Sequence, residues 1–358
     1  MGQCGEEVYK LKIAIVNNMV PFLYGGAEFL ADSLCEKLKE YGHQSLVITY
    51  PFSWAPKEAI INSIMAIRLN SLCNCDMVIG LKFPAYYIKH PNKKLWLLHQ
   101  FRQAYDMHDT EYGLFDNANE TDQAIRQAII DMDNKYLGEM EGNIYTNSKV
   151  VSQRLLKYNG ISSEILYPPL MNASLYSIGQ DYGDYIFYPS RVNHSKRQYL
   201  AVEAMKYTKT KVKLVLAGKG DTEKDEEYVF RKIQELSVGD KVTYINRFIS
   251  EKEKVDLFMK SLAGIYIPYD EDSYGYVTLE GFHAGKAMIS CTDAGGTDLV
   301  VKDGETGYMT EPTPQAIAAA MDKMYNDRKK TREMGHNGIP LLENLGITWD
   351  NVIRRLTK

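Results

Sequence analysis

The chain reads as an α/β protein made of two doubly wound domains, and three observations lead there. Short apolar, β-branched runs alternate with amphipathic helical patterns from one end to the other, which is the signature of parallel sheets wrapped by helices. The alternation breaks at Tyr167-Pro168-Pro169, and a turn-rich stretch over residues 172–184 follows before it resumes. The length, 358 residues, exceeds the ~250–300 residues that one hydrophobic core organises.

In the first half, residues 11–17 form a compact apolar run that predicts a buried strand. A turn at Tyr24-Gly25-Gly26-Ala27 follows, then a helix over residues 28–40 stopped by Gly42. Residues 45–49, 77–80, 95–99, 143–146 and 163–167 are further strands, and residues 116–138 are mostly helical. The second half repeats the scheme, with strands at 185–189, 212–217, 241–245, 264–267 and 287–290 and helices between them. Residues 349–356 close the chain as a short amphipathic helix. The expected domains are therefore 1–170 and 185–340, with a linker at 171–184 and a closing segment at 341–358. Two such halves place a ligand in a cleft at the carboxyl ends of their strands.

Composition narrows the class of function. Hydrophobic content of 45% and charged content of 25% are ordinary for a globular protein. A net charge of −4 argues against nucleic acid as a partner. Five scattered cysteines, Cys4, Cys35, Cys73, Cys75 and Cys291, imply no disulfide framework and fit a reducing compartment. The lone Cys73-x-Cys75 has no second pair and no neighbouring histidine, so no metal is expected. Residues 1–10 lack the apolar core of a signal peptide. No run approaches the ~18 apolar residues of a membrane helix. The expectation is a cytoplasmic protein, with peripheral contact at the inner face of a membrane left open.

The most informative stretch is Asp270-Glu-Asp-Ser-Tyr-Gly-Tyr-Val-Thr-Leu-Glu280. A carboxylate cluster turns on Gly275 into a helix, and that helix carries Glu280. The first N–H groups of a helix have no intrahelical acceptor and sit at its positive dipole end, so they suit phosphate. Carboxylates on either side need a donor-rich ligand. A nucleotide sugar supplies hexose hydroxyls, a pyrophosphate and a ribose diol in that order.

Asp272 and Glu280 lie eight positions apart, and the segment resembles the donor signature of the family-4 retaining glycosyltransferases. Asp272 stands where that family usually has Glu, and Tyr274-Gly275 stands for Phe-Gly. Ser190-Arg191-Val192-Asn193-His194-Ser195-Lys196 is similar to the family's Gly-Arg-Leu-x-x-x-Lys motif, and Gly25-Gly26-Ala27-Glu28 to its Gly-Gly-x-Glu turn. The resemblance implies a GT-B fold, two Rossmann-like domains facing a cleft, with the closing helix packed back on the first domain. It implies hexosyl transfer from a nucleotide sugar, UDP favoured, to a hydroxyl of a saccharide or lipid-linked acceptor, as in polysaccharide biosynthesis, with retention at the anomeric carbon. No cofactor or metal beyond the donor is expected.

The resemblance also assigns roles. Glu280 accepts the ribose hydroxyls, about 7–8 Å beyond the turn at ~1.5 Å per residue. Backbone N–H groups of Tyr276 and Val277, with Arg191 and Lys196, hold the diphosphate; Arg191 offers a planar fork and Lys196 a mobile charge. Asp272 reads hexose hydroxyls, and His99, ending a buried strand, faces the transferred sugar. Gly25 and Gly26 border the donor phosphates. Gly218, in Ala217-Gly218-Lys219-Gly220, flanks the nucleotide, and Arg247 borders the base. Arg102 and Tyr105 are acceptor candidates. Simpler readings stand beside these: a solvated basic turn, a sterically required Gly pair, a buried structural histidine. A nucleotide-sugar epimerase or hydrolase, or a non-catalytic nucleotide-sugar-binding protein, would share the cleft.

Overall fold

The computed structural model describes residues 11–22, 25–110, 113–179 and 181–358. Chain contacts divide it into two units, Met1–Pro168 with Ile347–Lys358, and Pro169–Gly346.

The first unit runs β1 (Lys12–Met19), α1 (Gly26–Glu40), β2 (Gln44–Pro51), α2 (Glu58–Leu69), β3 (Met77–Gly80), β4 (Lys93–Leu97), α3 (Glu120–Gly138), β5 (Ile144–Thr146), α4 (Lys149–Asn159) and β6 (Glu164–Ile165). Among the described residues these strands make one six-stranded sheet in the order β2-β1-β3-β4-β5-β6. Every pairing is parallel. The strand β1 continues two residues past the expected end, because Asn18 and Met19 pair with Tyr50 and Pro51 of β2. β4 stops at Leu97, so His99 lies in the loop beyond it.

The second unit runs β7 (Tyr185–Pro189), α5 (Gln198–Met205), β8 (Lys213–Ala217), α6 (Glu223–Glu235), β9 (Val242–Ile245), α7 (Glu251–Lys260), β10 (Ala263–Ile265), α8 (Tyr276–His283), β11 (Met288–Cys291), β12 (Gly307–Thr310), α9 (Pro314–Asn326), α10 (Arg328–His336) and α11 (Gly338–Asn344). Its six strands lie in the order β12-β11-β10-β7-β8-β9, again all parallel. β12 is not foreseen in the sequence. It is a four-residue edge strand, mostly half-buried, and so carries no apolar alternation.

The chain ends in α12 (Trp349–Leu356), which belongs to the first unit. Val352, Ile353 and Leu356 join a core with Ile13, Ile15, Leu34 and Trp96. Trp349 meets Trp96 edge-on, ring centroids 6.4 Å apart. Lys94 donates to the Arg355 and Lys358 carbonyls at 3.1 and 2.6 Å, which occupies carbonyls at the helix end.

The contact-based division differs from the expected bounds at two places. Residues 171–184, expected as a linker, count with the second unit because its core fixes them. Lys286 Nζ donates to the Asp181 carbonyl at 2.8 Å, Tyr182 OH to that of Gly285 at 2.8 Å, and Gly183 N to that of Lys260 at 3.0 Å. Residues 341–346 also stay with the second unit, where Leu342 is buried. The return to the first unit begins at Ile347.

Candidate functional site

In the second unit β7 and β10 are neighbours, and the chain leaves them towards opposite edges of the sheet. Loops beyond their carboxyl ends therefore diverge, and the crevice so formed is where an open doubly wound sheet takes its ligand. The β7 loop carries Arg191 and Lys196. The β10 loop carries Asp272 and turns on Gly275 into α8.

Arg197 ties these loops together. It is 7% exposed and grips Asp293 bidentately at 2.8 Å through both Nη atoms. Its Nε and Nη2 also donate to the Ile267 and Pro268 carbonyls at 2.7 and 2.6 Å. One guanidinium thus joins the loops after β7, β10 and β11. Backbone bonds add to it: Tyr269 N donates to Ser195 O at 2.8 Å and Asp270 N to Asp293 O at 3.0 Å. The sequence reading passed over Arg197 because it lies at the end of a basic run. Asp293, its partner, is 96 positions away.

Each expected cation of this unit has a carboxylate partner. Arg191, its side chain 64% exposed, donates to Asp221 at 2.8 Å. Asn193 donates to the other oxygen of Asp221 at 2.8 Å and caps the turn that presents Lys196. Lys196 Nζ reaches Glu271 at 2.5 Å and the Tyr266 hydroxyl at 2.8 Å. Arg247 is exposed and paired with Glu253 at 2.6 Å.

Glu280 is the fifth residue of α8 and is 5% exposed. It accepts from Lys254 of α7 at 2.6 Å, and Lys254 also reaches Glu251 at 2.9 Å. Burial raises the Glu280 carboxyl above its ordinary range, and the Lys254 charge opposes that rise. Asp272, Tyr276 and Val277 are half-buried around the start of the same helix. Gly275 cannot be replaced there. Its φ is +69°, and a Cβ would lie 2.2 Å from the Tyr266 ring. Gly218 is likewise demanded by packing, since a Cβ would sit 1.9 Å from the Ser190 carbonyl oxygen. A bare Cα there lets the β8 loop close on the β7 loop.

In the first unit a cavity of about 370 Å³ is lined by residues from beyond β1, β2, β3 and β4, including Val20, Trp54, Phe83 and His99. His99 Nδ1 lies 2.7 Å from the Gln100 carbonyl oxygen. A carbonyl only accepts, so Nδ1 is the donor in this bond. Glu28 joins two loops, accepting from Lys82 at 2.8 Å and from the Gly25 N–H at 2.9 Å. Gly25 thus spends its N–H within the protein. A Cβ on Gly26 would meet nothing within 4 Å, so no packing demands that glycine. Tyr24 of the same motif lies outside the described residues.

Tyr105, expected as an acceptor candidate, faces a buried carboxylate. It is 7% exposed and its hydroxyl donates to Asp133 at 2.7 Å. Tyr86 and Tyr87 donate to the same carboxylate at 2.7 and 2.6 Å. Burial raises the Asp133 carboxyl to about 6, against the lowering effect of these three bonds. Arg102 is held by Asp106 at 2.7 Å, and Arg154 lies 3.3 Å from the same carboxylate. Asn17 and Asn18 are buried amides at the carboxyl end of β1, the first of them the last residue of the expected strand. Asparagine closing an otherwise apolar strand was the available signal.

Two doubly wound units, one with a charged cradle at its switch point, define a GT-B protein. The comparisons agree. HepE of Anabaena, solved with UDP-glucose, superposes with a TM-score of 0.71 at 14% identity, covering 97% of this chain and 98% of that one. Residues 180–340, most of the second unit, match the model of the family described as "Glycosyl transferases group 1". The α-1,3/1,6-mannosyltransferase ALG2 of Dictyostelium discoideum is 34% identical over 36% of this chain and 31% of its own length. Human ALG2 is 25% identical over 59% of this chain and 56% of its own length. The chain thus spans between about a third and somewhat over half of these relatives. Among the described residues no helix is long and apolar enough to cross a membrane.

Proposed function

We propose that the chain is a retaining glycosyltransferase that moves a hexosyl unit from a nucleotide sugar, a UDP-sugar in the first instance, to a hydroxyl of a saccharide or lipid-linked acceptor. The observation that carries this reading is the switch-point cradle, where Arg191, Lys196, Asp272 and Glu280 converge on the loops after β7 and β10 and on the helix they lead into. Nucleotide chemistry fits that set. A diphosphate would take over Arg191 and Lys196 from Asp221 and Glu271, with added support from the N–H groups at the start of α8. Glu280 would exchange its Lys254 contact, at least in part, for ribose hydroxyls. Asp272 would read the hexose. Developing charge on the leaving diphosphate would be met by cations already held in place, the kind of stabiliser worth about 3–4 kcal/mol when removed. No nucleophile or metal is invoked for this step. The first unit's cavity with His99 is assigned to the acceptor.

Names among the relatives support the class and differ on the sugar. ALG2 is a mannosyltransferase, and HepE was solved with UDP-glucose. The test is a thermal-shift screen of UDP, GDP, ADP and TDP with their common sugar conjugates. A ligand at ~100 times its dissociation constant adds about 2.7 kcal/mol. Stabilisation by one nucleotide family, lost in Glu280→Gln, supports the reading. A flat response to every nucleotide overturns it.

A further inference from the structure

Arg197 stands next to Lys196, and its backbone is left-handed, with φ +54° and ψ +36°, where the turn of residues 194–196 meets α5. Residues with a side chain rarely adopt that conformation, and glycine takes it without strain. An arginine held there points to a use for its side chain. Its guanidinium makes four hydrogen bonds among the described residues, all to protein groups: the carbonyls of Ile267 and Pro268 and both oxygens of Asp293. Such a residue is not built to touch a ligand itself. Lys196 is tied to the same segment at its other end, where its ammonium meets the Tyr266 hydroxyl at 2.8 Å and Glu271 at 2.5 Å. Between those two contacts lie the carbonyls that Arg197 holds. The Lys196 carbonyl accepts from the Tyr188 hydroxyl, which accepts in turn from the Ile267 N–H at 3.3 Å. A lysine stem is four flexible carbons, so the place of its ammonium depends on how firmly its backbone is set.

We propose that Arg197 is a positioning residue for the donor: it fixes the Lys196 backbone against residues 266–271, so that the ammonium stands ready for the distal phosphate, and the site thereby prefers a nucleoside diphosphate to the monophosphate. The proposal rests on the transferase reading and deepens it. In that reading Glu280 takes the ribose and Asp272 the hexose. Glu271 adjoins Asp272, so its partner Lys196 stands at the hexose end, where only the second phosphate arrives. A buried arginine that served stability alone would affect every nucleotide alike.

The test is isothermal titration calorimetry of the full chain with the 5′-mono- and diphosphates of uridine, guanosine, adenosine and thymidine. The chain should bind one diphosphate at least about tenfold more tightly than its monophosphate, the scale of one charge-assisted hydrogen bond. Arg197→Lys keeps the charge and loses the fork. It should remove most of that preference, weakening the diphosphate about tenfold and the monophosphate less than about twofold. Lys196→Met should do the same, and the two combined should lose no more than Lys196→Met alone, because one acts through the other. Arg197→Gly, which suits the left-handed backbone, and Asp293→Asn, which leaves Arg197 in place, carry the measurement where the lysine variant fails to fold. The inference is overturned by an unchanged preference in these variants, by equal losses for both nucleotides, or by losses that add to that of Lys196→Met. The two readings fail separately. A diphosphate preference that ignores Arg197 removes this inference alone, and a chain that binds no nucleotide removes the donor reading on which it rests.

Discussion

Replacing Lys254 with methionine should destabilise the second unit far more than replacing its partner Glu280 with glutamine. The asymmetry follows from what each residue retains. With the ammonium gone, Glu280 is a carboxylate 5% exposed that has lost its 2.6 Å donor. Breaking such a buried pair typically costs about 3–5 kcal/mol. With the carboxylate neutralised, Lys254 keeps Glu251 at 2.9 Å, and glutamine still offers an oxygen at the same place. That change should cost about 1 kcal/mol, the net value of one hydrogen bond. At roughly 2–4 °C per kcal/mol for a unit of this size, Lys254→Met should lower Tm by about 6–20 °C and Glu280→Gln by about 2–4 °C. The pH dependence supplies a second reading. Burial already raises the Glu280 carboxyl and Lys254 opposes it, so removing the lysine raises it further. A carboxyl raised on folding contributes stability that is complete below its unfolded value and is lost as pH rises through its folded one. The Lys254→Met deficit should therefore grow from pH 5 to pH 8, while that of Glu280→Gln should shrink, because the variant lacks the carboxyl whose contribution the native chain loses as pH rises. Thermal unfolding followed by circular dichroism across that range measures both. Equal deficits, or a Lys254→Met deficit that ignores pH, would refute the reasoning.

Other outcomes follow from the same structure. Asp133→Asn should flatten the pH dependence of first-unit stability between about pH 4 and 6: the Asp133 carboxyl is raised to about 6, so its contribution is present at low pH and lost on passing that value, which denaturant titrations of the two chains compare directly. Gly275→Ala should cost about 3 kcal/mol in the same kind of titration, from the left-handed backbone and the clash with Tyr266. Gly26→Ala should leave stability level or raise it by up to about 1 kcal/mol, as a helix-opening glycine with nothing near its Cβ position, yet lower turnover if a ligand approaches that backbone. Arg191→Ala should change Tm little, since its Asp221 partner is a surface contact, while lowering turnover about 100-fold. Chelation with EDTA should leave turnover unchanged.

Local sequence marks where each element lies and what chemistry it carries. The strand runs, the break at Pro168-Pro169, the Asp272-to-Glu280 spacing and the Arg191-to-Lys196 turn are all contiguous patterns. Period and turn chemistry are properties of neighbouring residues, so they can be read without coordinates. The closing helix, Trp349–Leu356, was legible for the same reason. Partnership was not. Which carboxylate meets Lys196, which carbonyls Arg197 holds, and that the Tyr105 hydroxyl meets Asp133 depend on strand order and register. Those bring residues 75, 96 and 28 positions apart into contact. The same holds for Asn18, an ordinary strand-end residue until the fold buries its amide. Sequence alone set the catalogue of groups, because local periodicity is encoded locally; the pairing of charges and the burial that tunes them belong to the tertiary structure, because they are made by segments that meet only after folding.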